Sequence, residues 1–198
     1  MKTLLPLLRP ALSLFVVLTV VTGIAYPLAV TGIAKIAFPD AASGSLIVRD
    51  GKAVGSRLIG QNFSDPKYFW GRPSATAPMA NNGLASGGSN LGANNPALLD
   101  AVKGRVDALK AADPENTLPV PIDLVTASGS GLDPEISLAA AHYQAARIAK
   151  ARALPLAQVQ ALIDANAKTP WLGIIGEPRV NMLALNLQLD GKTVQPVR

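Results

Sequence analysis

From Pro10 to Ala34 the chain carries no Asp, Glu, Lys, Arg or His over 25 positions. At about 1.5 Å rise per residue such a helix reaches roughly 37 Å, enough to cross a hydrocarbon core of about 30 Å with some tilt. Backbone groups in lipid must be satisfied within the segment, so a single helix is the expected conformation. A buried core helix would not need so long an uncharged run. A cleavable secretory signal competes, because Lys2 and Arg9 resemble a basic n-region. Signal h-regions run about 7–15 residues, however, and here Pro27 and Gly32 fall inside a longer stretch, which favours an anchor. Pro27 is expected to kink at most the last turns, with Tyr26 at the membrane interface.

The flanking charges set the expected orientation. Lys2, Arg9 and the amino terminus sit on a short tail, whereas Lys35 on the far side is countered by Asp40. Positive charge on the short side predicts a cytoplasmic tail over 1–9, a transmembrane helix over 10–36 and an extracytoplasmic domain over 37–198. Taking out Lys2 and Arg9 leaves 16 of the 18 Lys and Arg, Lys35 among them, against 13 Asp and Glu, a net charge of +3 scattered without a basic run. That balance points away from nucleic acid. With no cysteine, disulfides, thiolate metal sites and a cysteine nucleophile are excluded, and the core alone must stabilise the fold.

The remainder reads as one mixed α/β (α+β) domain. Asp50-Gly51 between two β-rich runs predicts a hairpin. Residues 61–75, dense in aromatics and turn formers, predict an ordered loop clamped by Phe63, Tyr68, Phe69 and Trp70. Thr76 to Asn95, rich in Gly, Asn, Ser and Ala, reads as a flexible loop. Asn95 and Pro96 open a helix with Leu98, Val102, Val106 and Leu109 in one stripe. Pro119 to Thr126 reads as extended because of its two prolines, and Ser128-Gly-Ser-Gly131 as a turn. Ser137 caps a helix over about 138–152, burying Ala141, Ala145, Ile148 and Ala149. Pro155 opens another to about Ala167, burying Leu156, Val159, Leu162 and Ile163. Val180 to Leu189 alternates leucines with Ala184, Asn186 and Gln188, predicting a half-buried strand.

Catalytic motifs fit poorly. No phosphate-binding G-x-x-x-x-G-K-[ST] string and no G-x-S-x-G elbow occurs. Gly129-Ser-Gly131 lacks the third glycine of a dinucleotide fingerprint, since Pro134 stands there. Ser64-Asp-Pro-Lys67 matches S-x-x-K literally, but Pro66 opposes the helical turn that motif requires. His142, the sole histidine, is expected on a helix surface. Asp123, Asp133 and Glu135 do not have the spacing of a calcium-binding loop.

Longer motifs carry a specific resemblance. They are Gly55–Gln61 with Phe63, Tyr68-Phe69, Arg72-Pro73-Ser74-Ala75, Ser86–Gly92 leading to Asn95-Pro96, and the block Pro119–Pro134 that includes Ser128, Gly129 and Asp133. Ile136-Ser137, Gln144, Arg147, Arg152 and Val180-Asn181 continue the match. In that order, and with the apolar segment in place, the chain resembles the C-subunit family of Kdp potassium-importing P-type ATPases. It departs at Glu135, where the family has His, and at Leu138, where it has Pro.

The resemblance implies a non-catalytic accessory subunit in a bacterial inner membrane. On that resemblance it would be needed for assembly and would act as a catalytic chaperone that raises the pump's affinity for ATP. The implied partners are a channel-like potassium-selective subunit, the P-type pump subunit, a small single-helix peptide and membrane lipid. The chain would bind no cofactor or metal itself, and ATP would enter through the pump subunit. Gly23 and Gly32 would let partner helices approach closely. Gln61, Phe63, Arg72, Pro73, Ser74, Ser128, Gly129 and Asp133 become motif or docking-loop positions. Gln144 and Arg147, one turn apart, are expected on an exposed helix face as partner contacts. The alternative class is a free-standing, membrane-anchored binding protein or enzyme.

Overall fold

A computed structural model describes residues 5–49, 51–170 and 175–191. The chain divides into two compact units, Met1–Leu46 and Ile47–Arg198. Lys2 and the amino terminus lie outside the described residues.

The first unit is a run of helix: α1 (Leu5–Val20), a π-turn (Val21–Ala25), α2 (Tyr26–Ala37) and a short α3 (Pro39–Ala42). Pro6–Ala37 is long and apolar enough to cross a membrane. Helix begins at Leu5, so residues 5–9, expected as a tail, are already helical, and Pro10 lies inside α1. The kink expected at Pro27 takes the form of the π-turn just before it. A proline ring collides with the carbonyl four residues back, and one wider turn relieves that collision. The Tyr26 N–H accordingly donates five residues back, to Val21 O.

In the second unit β1 (Leu46–Arg49) pairs with β2 (Lys52–Ser56) as the expected hairpin. Gly51 has φ +75°, which suits the turn, while Asp50 lies outside the described residues. Residues 57–95 contain neither helix nor strand. α4 (Pro96–Ala112) follows, with Asn95 Oδ1 accepting from the Ala97 N–H at 2.9 Å and the expected stripe half-buried or buried. Pro119–Thr126 is not extended throughout, because Ile122–Leu124 forms a 3₁₀ turn. Pro121 excludes a helix through itself but is well placed immediately ahead of such a turn.

β3 (Glu135–Ser137) leads directly into α5 (Leu138–Arg152), then α6 (Leu156–Asn166), β4 (Arg179–Asn181) and α7 (Met182–Leu189). β3 and β4 are antiparallel, with Ile136 opposite Val180. Ser137 caps α5 by accepting from the Ala140 N–H at 3.0 Å. At the other end Ala153 adopts φ +51°, and the Leu154 N–H returns to Ala149 O. The core gathers round α5: Ala141, Ala145, Ile148 and Ala149 pack with Phe69, Ile136, Val159, Ile163, Val180 and Leu185. Leu156, expected to be buried, is 43% exposed at the first position of α6.

The half-buried strand expected over Val180–Leu189 is corrected by α7. Only the first two residues extend; Asn181 Oδ1 then accepts from the Ala184 N–H at 2.9 Å and starts a helix. Met182, Leu183, Leu185 and Asn186 are buried, a helical spacing that the leucine alternation concealed.

Candidate functional site

Residues 66–70 run without helix or strand from the surface into the core, where Phe69 is fully buried, so their polar backbone needs partners. Side chains from the C-terminal helices supply them. Asn186 of α7 accepts from the Phe69 N–H at 2.8 Å and donates to Phe69 O at 3.0 Å. Gln144 of α5 does the same one residue on, accepting from the Trp70 N–H at 2.8 Å and donating to Trp70 O at 3.1 Å. Each amide thus replaces one rung of a strand ladder. Arg147 donates to Pro66 O and, at 3.1 Å, to Tyr68 O, while Arg152 donates to Lys67 O at 2.7 Å. Five successive carbonyls are therefore held by four side chains.

Aromatic contacts reinforce the seam. Arg147 lies 4.5 Å from the Trp70 ring centre and Arg152 4.8 Å from that of Tyr68. The Tyr68 hydroxyl and Arg152 both meet Asp190, and Phe63 tilts against Tyr68 at 5.2 Å. Burial pushes the Arg147 guanidinium down to about 10, partly offset by Asp113 and Asp65. It therefore keeps its charge at neutral pH. At the exposed start of the loop, the Lys67 N–H and ammonium hold Asp65 below the usual carboxylate range.

Gln144 and Arg147 are thus not on an exposed helix face: they are 1% and 5% exposed. Polar residue type alone placed them outward, whereas an unpaired loop needs polar groups inside. Asn186 belongs to the same seam and was missed, because a strand reading put it on the solvent side. Its signal was helical spacing after a capping Asn181.

The remaining motif residues close loops on one another. Arg72 pairs with Asp133 at 3.0 Å, the Ser128 N–H donates to Pro73 O at 3.1 Å, and Ser74 Oγ donates to Gly131 O at 2.7 Å. Ser74 and Thr76 in turn accept from the Asn81 and Asn82 N–H groups, at 2.9 and 3.0 Å, so the segment read as a flexible loop is internally wired. A Cβ on Gly88 would lie 3.0 Å from Gly129 O, and one on Gly131 2.5 Å from Thr76 Cγ2. These loops touch backbone to backbone. Gln61 is set apart, its amide donating to Val54 O at 2.8 Å beneath the hairpin. Gly23 and Gly32 lie on the first unit, each with open space where a Cβ would stand.

A cleft of about 420 Å³ opens beside this cluster, lined by Arg72, Asp123, Asp133, Glu135, Ser137 and Arg179 among others. The carboxylates of Asp123, Asp133 and Glu135 are already engaged. Asp123 accepts from the Ser137 N–H and hydroxyl, Asp133 holds Arg72, and Glu135 pairs with Lys168 and Arg179. Glu135 thus ties β3 to β4 and to Lys168. His142 lies 3.4 Å from Asp164 on the helix surface. Among the described residues no three His, Cys, Asp or Glu side chains are grouped to hold a metal ion. Among the described residues, the polar side chains named here fasten loops and strands to one another.

The class so defined is a small helix-and-sheet domain carried behind one long apolar helix, with its conspicuous polar residues committed to loop architecture. A family model described as "KdpC: K+-transporting ATPase, c chain" matches residues 8–191. The chain is 68% identical over 184 residues to the potassium-transporting ATPase KdpC subunit of Polaromonas naphthalenivorans, covering 93% of this chain and 94% of that one. Its identity to the KdpC subunit of Herminiimonas arsenicoxydans is 67%, covering 92% and 96% of the two chains. For that of Methylibium petroleiphilum it is 64%, covering 97% and 99%. This chain belongs to the KdpC family, the c chain of the potassium-transporting ATPase.

Proposed function

We propose that the chain is a non-catalytic accessory subunit, fixed in the bacterial inner membrane by α1–α2 with its amino terminus cytoplasmic and its domain outside. The observation that carries this reading is the family match over residues 8–191 on a chain whose polar residues fasten loops. Its partners are a channel-like potassium-selective subunit, the P-type pump subunit and a small single-helix peptide, with lipid around the anchor. Assembly is its first role. Raising the pump's affinity for ATP is its second, exerted indirectly through conformational coupling, because nucleotide would meet the pump on the opposite side of the membrane.

On this reading Gly23 and Gly32 line helix contacts. Gln61, Phe63, Arg72, Pro73, Ser74, Ser128, Gly129 and Asp133 shape the loops that dock, and Gln144 and Arg147 hold those loops from within. The test is a detergent pull-down of the tagged chain from potassium-starved cells. Co-purification of a potassium-stimulated ATPase is the expected result. A chain recovered alone would overturn the reading in favour of a free-standing anchored protein.

A further inference from the structure

The π-turn of the apolar helix leaves a backbone acceptor without its usual donors. In a regular helix the Thr22 carbonyl would accept from the Tyr26 N–H, but that group donates to Val21 O instead. One position later, where the wider turn would take its donor, stands Pro27, which has no N–H. Proline also removes the normal donor of the Gly23 carbonyl. The Thr22 hydroxyl cannot help, because it donates to Leu18 O at 2.7 Å.

Position makes this consequential. The midpoint of the candidate span Pro6–Ala37 falls between Val21 and Thr22, at the depth furthest from water on either side. Acyl chains offer no donor there, and an unsatisfied backbone group in hydrocarbon is strongly disfavoured. Gly23, beside the open carbonyl, has no atom within 4 Å of its Cβ position, so a neighbouring helix can come close. In a parallel pair, the hydroxyl that a second copy would bring to this depth is its own Thr22, which is already committed to Leu18 O.

We propose that the Thr22 carbonyl is a docking point for a transmembrane helix of another subunit, which inserts a hydroxyl or amide side chain as hydrogen-bond donor and sets the depth register of the anchor. This rests on the accessory-subunit reading.

Only two Thr-Gly pairs occur in the sequence, Thr22-Gly23 and Thr31-Gly32. Labelling Thr with carbonyl ¹³C and Gly with ¹⁵N in this chain alone, before it is combined with unlabelled partner subunits, therefore selects two carbonyls by solid-state NMR, with Thr31 as internal reference. The expected result is a downfield move of the Thr22 resonance when the purified full complex is compared with the chain alone, Thr31 staying in place. Pro27→Ala restores a backbone donor. It should keep the chain in the membrane, abolish that move and weaken retention in the complex roughly three- to twenty-fold, the range of measured interhelical hydrogen bonds.

A complex that forms with an unmoved Thr22 resonance overturns this inference alone. So does a move already present in the isolated, diluted chain, or a Pro27→Ala complex as tight as the native one. A chain that purifies without membrane partners overturns the accessory reading and this inference with it.

Discussion

Asn186 satisfies both polar groups of Phe69 from a position 2% exposed, so replacing it with leucine keeps the volume and removes both partners at once. Stranding a buried donor and acceptor costs about 2–4 kcal/mol in total. Asn186→Leu should therefore lower the thermal midpoint by roughly 5–15 °C for a domain of this size, read by circular dichroism. An unchanged midpoint would mean that water reaches Phe69. Ala153 gives a change of opposite sign. It holds φ +51° at the end of α5, where glycine is unstrained. Ala153→Gly should stabilise by about 0.5–1 kcal/mol, raising the same midpoint by a few degrees. Among the titrating groups, Arg147 has its native value lowered, so its burial opposes folding of the charged form at every pH below about 10. That opposition is relieved only as pH rises through about 10, so this group adds no pH dependence near neutrality.

The motif loops form one element-scale unit, closed by side-chain bonds and by close backbone approaches, and neighbouring glycines report on it differently. At Gly131 the φ of +67° is strained for alanine, and the added Cβ would meet Gly87 O at 2.6 Å. At Gly129 nothing lies within 4 Å of that position. Gly131→Ala should cost about 2–4 kcal/mol and speed proteolytic cleavage within residues 76–92, whereas Gly129→Ala should stay within about 0.5 kcal/mol of the native chain. Equal cleavage rates would show that the loops do not close as a unit. Sequence pattern made several elements legible because their signals are local. Asn95-Pro96 opens α4, Ser137 caps α5, and the charge-free run gives the first helix. What it could not supply was non-local. Gln144, Arg147 and Asn186 are polar residues whose partners lie far away in sequence, and no periodicity reveals that a loop needs them inside. The leucine alternation of α7 favoured a strand because the Asn181 cap was not weighed against it.

Across the whole molecule, the proposed topology puts residues 37–198 outside, and the natural absence of cysteine makes that directly measurable. Glu115, whose side chain is 82% exposed, can be replaced by cysteine without touching the core. Glu115→Cys should react with a membrane-impermeant maleimide in intact spheroplasts. Labelling only after lysis would put the domain on the cytoplasmic side. The seam around Phe69 also has a consequence for the order of synthesis. Its partners are separated by 74 residues for Trp70 and Gln144 and by 117 for Phe69 and Asn186. Such distant pairings are slow to form and are absent until both ends exist. The aromatic segment is made first, and the amides that receive it follow 74 and 117 residues later. A chain ended at Asn181 should therefore remain protease-sensitive throughout 61–75, and that segment should acquire its fold only once Asn186 has been made.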